Sequence, residues 1–340
     1  MAPQNRKEEL LAVWRALSGN AGQVGWRTIQ ISHACTCRIL AGRHFPENEE
    51  ALLIGFASVH VLPADQLPQG RGFLVSRVNL GADMTDYTWL TLRRQSAGSL
   101  ELFSMMSDDV LTMLEGLGSA GDDRLFNAFV ARIRAWQEFM KKSGDGVLGA
   151  EAEIGLFGEL EILQEMMVAG IPCLSAVDAW HGPMEGLHDF VFGVGAVEVK
   201  TTASTNGFPM TIGSLEQLDD SLVRPIYLVG IRLALNASGQ NLPEKIGELR
   251  EMMNDDLVAF ATLNSRLLHG GFIDALADRF TRRFYRVTLR IIEISGNFPR
   301  LTRENVAIQI RKVRYEVDLD LVQAADTELA QALRKLGVIE

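Results

Sequence analysis

The sequence predicts an α/β (α+β) fold: a β-rich amino-terminal region finished by helices, a mixed β-sheet flanked by helices, and an α/β carboxyl-terminal extension. Three observations predict it. Short β-like runs at 27–40, 51–60, 72–79 and 86–94 are separated by clusters such as LPADQLPQGRG (62–72), whose Gly, Pro and Asp residues punctuate strands. Between 149 and 234 the pattern changes to helix, short strands, a helical turn and an apolar strand, the order that builds a sheet covered by helices. Beyond 240 a helical stretch is followed by two more strand-like runs. At about 150 residues per domain, 340 residues make two or three domains. The changes of pattern divide them as 1–145, 146–240 and 241–340.

Each element has its own signal. KEELLAVWRAL (7–17) spaces its apolar residues as an amphipathic helix does. Helical patterns recur near 104–116 and at 122–142, where Leu125, Phe129, Ile133, Trp136 and Met140 make a stripe that reads as core. SGDG (143–146) ends this region. Residues 149–169 (GAEAEIGLFGELEILQEMMVA) form a strong helix. A Pro/Gly/Trp loop (171–186) leads to β runs at 187–192, 196–202 and 208–212, then a helical turn from Ser214. PIYLVGIRLA (225–234) is apolar enough for a buried central strand. Residues 243–280 read as helical, 284–294 and 306–319 as strands, and 321–336 as a terminal helix.

Composition excludes several classes. With 47% hydrophobic and 22% charged residues the chain has enough apolar material for a packed core, so global disorder is excluded. No apolar run approaches the roughly 18 residues of a membrane span. The first ten residues, MAPQNRKEEL, lack the apolar stretch of a signal peptide, so the cytoplasm is the expected compartment. Cys35 and Cys37 are too close for a zinc knuckle and Cys173 stands alone; reduced thiols are expected.

A net charge of −10 argues against a protein that simply coats nucleic acid. The segment 279–314 reverses that sign, with ten Arg or Lys against Glu293 and Glu304. Strict alternation in 284–294 would put Tyr285, Val287, Leu289 and Ile291 on one face. Arg286 and Arg290 would then share the other, with Arg282 in phase, a surface on which a phosphate backbone could lie. A solvated face balancing an acidic neighbour is the alternative.

The chemistry concentrates around Glu198-Val199-Lys200. Of only seven lysines, Lys200 alone has an acid two residues before it, and in a strand at 196–202 the two side chains share a face. If Val194-Gly195 makes a two-residue hairpin turn, Asp189 lies opposite Lys200 and diagonal to Glu198, within side-chain reach. A three-residue turn would bring His188 there instead, unless a bulge restored the phase. Two carboxylates are hard oxygen ligands for Mg²⁺, which also accepts substrate phosphate oxygens. A neighbouring ammonium can orient water and stabilise charge in the transition state. On geometry alone the same residues are open to a plainer reading, an Asp–Lys–Glu salt bridge across the hairpin.

The helix before the loop adds a third acid. Glu159 has Gly155, Leu156, Ile162 and Leu163 as its same-face neighbours, so it faces inward, where an unpartnered carboxylate is costly. Glu153, flanked by Leu156 and Phe157, is its rival. Glu161 and Glu165 read as solvated. Trp180 and His181 in the loop suit anchoring or substrate contact, and Thr201 and Thr202 read as strand residues.

The blocks GLFGELEIL (155–163), DAWHGP (178–183), HDF (188–190), EVKTT (198–202) and SLEQL (214–218), in this order, resemble the PD-(D/E)XK nuclease superfamily. More specifically, they resemble a bacterial family of PD-(D/E)XK members found in restriction and phage-defence gene clusters; FPRLTRENV (298–306) and the run through Tyr315 resemble its carboxyl-terminal part. The resemblance covers most of the chain. It implies a restriction-endonuclease-like core, a metal-dependent DNA endonuclease or nuclease subunit as function, and Mg²⁺ as cofactor, with Mn²⁺ as a substitute. Asp189 and Glu198 would bind the metal, Lys200 would position water, Glu159 would be the helix acid, and Gln217 the glutamine that follows in many members. His188 stands where the superfamily's name has proline. Gln217 is open to a second reading, since Ser214 and Gln217 also fit a helix capping box. Partners would be DNA, other subunits of a defence system and a second copy of the chain. The rival function is a non-catalytic DNA-binding or assembly subunit built on a nuclease-like fold.

Overall fold

The computed structural model describes residues 6–19, 24–32, 36–70, 72–81, 84–143, 148–184, 186–221 and 223–339. The chain divides into two compact units, Met1–Lys141 and Lys142–Glu340.

The first unit comprises α1 (Arg6–Ala16), β1 (Gly25–Ser32), β2 (Arg38–Phe45), β3 (Glu49–Phe56), β4 (Phe73–Val78), β5 (Thr88–Arg94), α2 (Leu100–Gly116) and α3 (Asp122–Ser143). Its strands pair antiparallel in the order β1-β2-β3-β5-β4. The single run expected at 27–40 is thus shared between two strands, and its residues 33–35, Cys35 among them, lie outside the described residues. Ala51, Leu52, Leu53 and Ile54 of β3 are all buried. Because successive strand side chains point to opposite faces, this sheet is covered on both. Trp89 packs with Leu40, Ala51 and Leu53, while Trp14 Nε1 of α1 donates to the Ala51 carbonyl at 3.0 Å. On α3 the expected stripe holds at Leu125, Phe129, Ile133 and Trp136, with Phe139 rather than Met140 as its last buried member.

The second unit contains α4 (Ala150–Val168), α5 (Cys173–Ala179), β6 (Phe190–Val191), β7 (Ala196–Thr202), β8 (Pro209–Ile212), β9 (Ile226–Gln240), α6 (Leu242–Met252), α7 (Leu257–His269), β10 (Phe284–Glu293), β11 (Tyr315–Asp318) and α8 (Leu329–Lys335). The main sheet runs β10-β9-β7-β6. β7 pairs parallel to β9 and antiparallel to β6, and β10 antiparallel to β9, so the sheet is mixed. β8 and β11 pair separately. The sheet therefore continues across residue 240 through β9 and β10. Leu228, Ile226, Ile292, Phe208, Met210 and Leu319 close one core on it. Among the described residues no helix is long and apolar enough to cross a membrane.

Several elements differ from expectation. The run at 187–192 is a two-residue strand, and no helix starts at Ser214. The helical stretch 243–280 is α6, α7 and a 3₁₀ turn at Asp274–Arg279, and the terminal helix is only Leu329–Lys335. The run 306–319 is strand only in β11. In β10 the register shifts between Arg286 and Thr288. That bulge breaks the alternation on which the arginine face depended: Arg286 pairs with Leu233 and Arg290 with Gly230, three residues apart on β9 and therefore on opposite faces.

α4 lies close on β7 because residue 158 has no side chain. A methyl group on Gly158 would lie 3.0 Å from Thr201 Cβ and closer still to Thr201 Oγ1. Gly158→Ala should therefore destabilise the protein by about 1–3 kcal/mol, the usual range for overpacking. Urea unfolding checks this; an unchanged midpoint would show that α4 is free to move away.

Candidate active site

The hairpin β6–β7 brings the acids together. Phe192 N donates to the Gly195 carbonyl at 2.9 Å and Gly195 N to the Phe192 carbonyl at 3.2 Å, so the two-residue turn is Gly193-Val194. Phe190 pairs with Val197 and Val191 with Ala196. The pairing differs from the expected one by two positions, a shift that keeps every side chain on its face. Asp189 follows the same face as Glu198 and Lys200, and its Oδ2 accepts a hydrogen bond from Val199 N at 2.7 Å.

Lys200 Nζ donates to Glu198 Oε1 at 2.5 Å. Glu198 is 1% exposed, and its second oxygen, Oε2, is buried with no hydrogen-bond partner. The third acid reaches the same place from α4. Trp180, fully buried, donates Nε1–H to Glu159 Oε2 at 2.7 Å. The loop carrying Trp180 is fixed to the hairpin: the Asp189 carbonyl accepts from His181 N at 2.7 Å and Gly182 N at 3.1 Å. At Gly182 the backbone passes directly over the acids. A methyl group there would lie 2.9 Å from Asp189 Oδ1 and closer to Glu159 Oε2.

Electrostatics follow from this crowding. Burial, with the Asp189 charge adding to it, pushes the Glu198 carboxyl up to about 8. Burial and the Asp189 charge hold Glu159 well above the ordinary carboxylate range, and burial raises Asp189. Burial alone would lower Lys200; Glu198 and Asp189 outweigh it, so the ammonium is held above its usual value. Burial lowers His188, whose Nε2 lies 3.1 Å from the Gln217 carbonyl.

The structure brings together Glu159, Asp189, Glu198 and Lys200. Glu153 is elsewhere: its Oε2 accepts from Arg282 Nε at 2.7 Å. Gln217 is outside the cluster too, its Oε1 accepting from Gly213 N at 2.7 Å in a non-helical turn. Arg282, Arg286 and Arg290 are each engaged within the chain. Arg282 binds Glu153, Arg286 binds Glu165 with Glu161 at 3.4 Å, and Arg290 Nε donates to Asp326 Oδ1 at 2.9 Å. Trp180 as the partner of Glu159, and Gly182 as the residue that admits the acids, were not evident from the sequence. DAWHGP displays both residues, but nothing local shows what they approach.

These residues suit a divalent cation. Among the described residues no three His, Cys, Asp or Glu side chains form a ready-made metal cage. Mg²⁺ does not need one, since it commonly takes one or two carboxylates and keeps its waters. The unpartnered Oε2 of buried Glu198, with the half-buried carboxyl groups of Glu159 and Asp189 around one ammonium, is the donor set that such an ion would satisfy.

In the metal-free protein the raised Glu198 carboxyl has a consequence for stability. The folded state holds a proton that the unfolded chain releases near pH 4.5, so its stabilisation is complete below that value and is lost as pH rises through about 8. In EDTA, the melting temperature of the parent relative to Glu198→Gln should fall between pH 6 and 9, and Mg²⁺ should flatten the decline. A pH-independent difference between the two proteins would contradict the assignment.

Fold and site together define a nuclease-like α/β protein. The chain belongs to the family described as "Putative PD-(D/E)XK family member" (DUF4420), whose model matches residues 10–320. Neither a curated protein nor a solved structure matches it significantly.

Proposed function

We propose that this protein is a metal-dependent deoxyribonuclease that hydrolyses phosphodiester bonds. The observation that carries the reading is the meeting of three carboxyl groups, the buried Glu198 and the half-buried Glu159 and Asp189, with a single ammonium, one oxygen of Glu198 being left without a partner. Asp189 and Glu198 would hold Mg²⁺, or Mn²⁺ in its place. When bound, the ion supplies a Lewis acid that lowers the pKa of water and neutralises charge on the phosphoryl oxygens.

The chain's own groups do the rest. Val199 N–H fixes Asp189 through Oδ2 and leaves Oδ1 toward Gly182. Lys200, held protonated by its acids, stays within donor reach of Glu198 and can direct an N–H at water or a phosphoryl oxygen, the electrostatic help that phosphoryl chemistry needs. Trp180 sets the orientation of Glu159, whose carboxyl is held above the ordinary carboxylate range by burial and the Asp189 charge. The acidic balance of the chain fits a cytoplasmic nuclease brought to DNA by other subunits of a restriction or phage-defence system. Cutting both strands calls for two such sites, which a second copy would supply.

The test is incubation of purified protein with supercoiled plasmid and with single-stranded DNA, in Mg²⁺, Mn²⁺ or EDTA. Nicking that requires the cation is expected. A folded, metal-binding protein that cuts neither substrate would support the non-catalytic assembly role instead.

A further inference from the structure

The ten cations of 279–314 do not act as one face. Arg282, Arg283, Arg286, Arg290, Arg300 and Arg303 are each paired with an acid of the same chain: Glu153, Glu244, Glu165, Asp326, Asp220 and Glu216. The other four are unpaired among the described residues: Arg279 stands apart in the 3₁₀ turn Asp274–Arg279, while Arg311, Lys312 and Arg314 stand together. Their side chains are exposed and make no hydrogen bond or ion pair among the described residues. They lie in the irregular segment that leads into β11, and Glu304 is the one acid in 303–314.

That segment is clasped at its base. Leu301 N donates to the Tyr315 hydroxyl at 3.1 Å, and Thr302 N to Asn305 Oδ1 at 2.8 Å. Arg303 Nε donates to Glu216 Oε1 at 2.8 Å, while its Nη2 donates to the Arg311 carbonyl at 3.1 Å. Arg300 adds bonds to the Leu218 carbonyl and Asp220 Oδ1, both at 2.7 Å. The strap is thus bonded to the 213–220 turn, whose Gln217 carbonyl lies 3.1 Å from His188, the neighbour of Asp189. Ile308, at the exposed part of the strap, is 91% accessible. If duplex DNA lies on this strap, Ile308 is placed where an apolar side chain can wedge at a base step.

We infer that residues 303–314 form a DNA-binding strap in which Arg311, Lys312 and Arg314 hold backbone phosphates and Ile308 contacts the groove, delivering the duplex to the hairpin that carries Asp189, Glu198 and Lys200. This rests on the nuclease reading above. The strap, not the ion-paired arginines of β10, is then the electrostatic footprint of a chain that is acidic elsewhere.

The experiment uses the full chain. Binding of a labelled mixed-sequence duplex is measured between 50 and 300 mM salt in Mg²⁺, in a Lys200→Ala background that prevents cutting. Cleavage by the parent and by Arg311→Gln/Lys312→Gln/Arg314→Gln with Lys200 intact is measured in parallel. Each phosphate contact contributes about 0.9 to the salt slope, so the triple variant should lower it by about 2.7 and weaken binding at least ~10-fold near 100 mM. Its melting temperature should be unchanged, since these side chains have no partners to lose. Arg311→Lys/Arg314→Lys should keep the slope, because phosphate contact needs charge rather than a guanidinium. An unaltered slope and affinity in the triple variant would overturn the strap while leaving the nuclease reading to the parent's cleavage. A parent that binds duplex without cutting, with a reduced slope in the variant, would uphold the strap and sink the nuclease reading. Binding to phosphatidylserine vesicles but not to duplex would assign the strap to membranes and overturn the proposal.

Discussion

Lys200→Ala is expected to lower metal-dependent DNA cleavage by about 10³-fold, the upper range for removing one preorganised electrostatic group. Binding of Mn²⁺ should persist, because Asp189 and Glu198 remain. Glu198→Gln should lose cleavage and cation binding together. Changing a group behind a metal ligand already costs about 10–100-fold in affinity or activity, so removing a ligand's charge should cost at least that much. Neither variant should unfold. In the first, the carboxyl groups left without the ammonium are already raised by burial and can take protons; in the second, repulsion with Asp189 is relieved. A purely structural Lys200–Glu198 bridge predicts the opposite: no cation-dependent activity in the parent, and losses of about 3–5 kcal/mol in both variants from a stranded buried charge. Plasmid nicking and thermal melts of the three proteins distinguish the two patterns.

Gly182→Ala is the second large effect. The added methyl meets the carboxylate ends of Glu159 and Asp189, not backbone, so both can swing aside at small cost in stability. Swinging aside detaches Glu159 from Trp180 Nε1 and displaces Asp189 Oδ1. Positioning errors of this size commonly cost about 10²-fold in rate. The expected result is cleavage reduced about 10²-fold with a melting temperature within a few degrees of the parent. Full activity would mean that the Gly182 approach has no bearing on catalysis.

The acid cluster was legible in the sequence because strand parity survives errors of register in steps of two. The turn proved to be Gly193-Val194 and not Val194-Gly195, yet Asp189, Glu198 and Lys200 still share a face. Glu159 was legible through the uncharged neighbours at its helical spacings. The arginine face was not, since a single bulge near Val287 reverses the parity that a list of residues suggests. Gln217 met a similar limit. Ser214-Leu215-Glu216-Gln217 has the letters of a capping box, but the Gln217 side chain bonds Gly213 N, while Arg303 and Arg300 hold the turn from 80 and more residues away. The pairing of β9 with β10 was equally hidden: both strands read clearly, but the local pattern does not name a partner that lies beyond two helices.

The measurement that bears most directly on the central claim is a titration of Mn²⁺ into the parent, Lys200→Ala and Glu198→Gln, followed by the loss of the free-ion paramagnetic resonance signal. The Asp189–Glu198 centre predicts saturable binding in the parent and in Lys200→Ala, and a loss of at least ~100-fold in affinity in Glu198→Gln. Absence of binding in the parent, or equal binding in parent and Glu198→Gln, would contradict it.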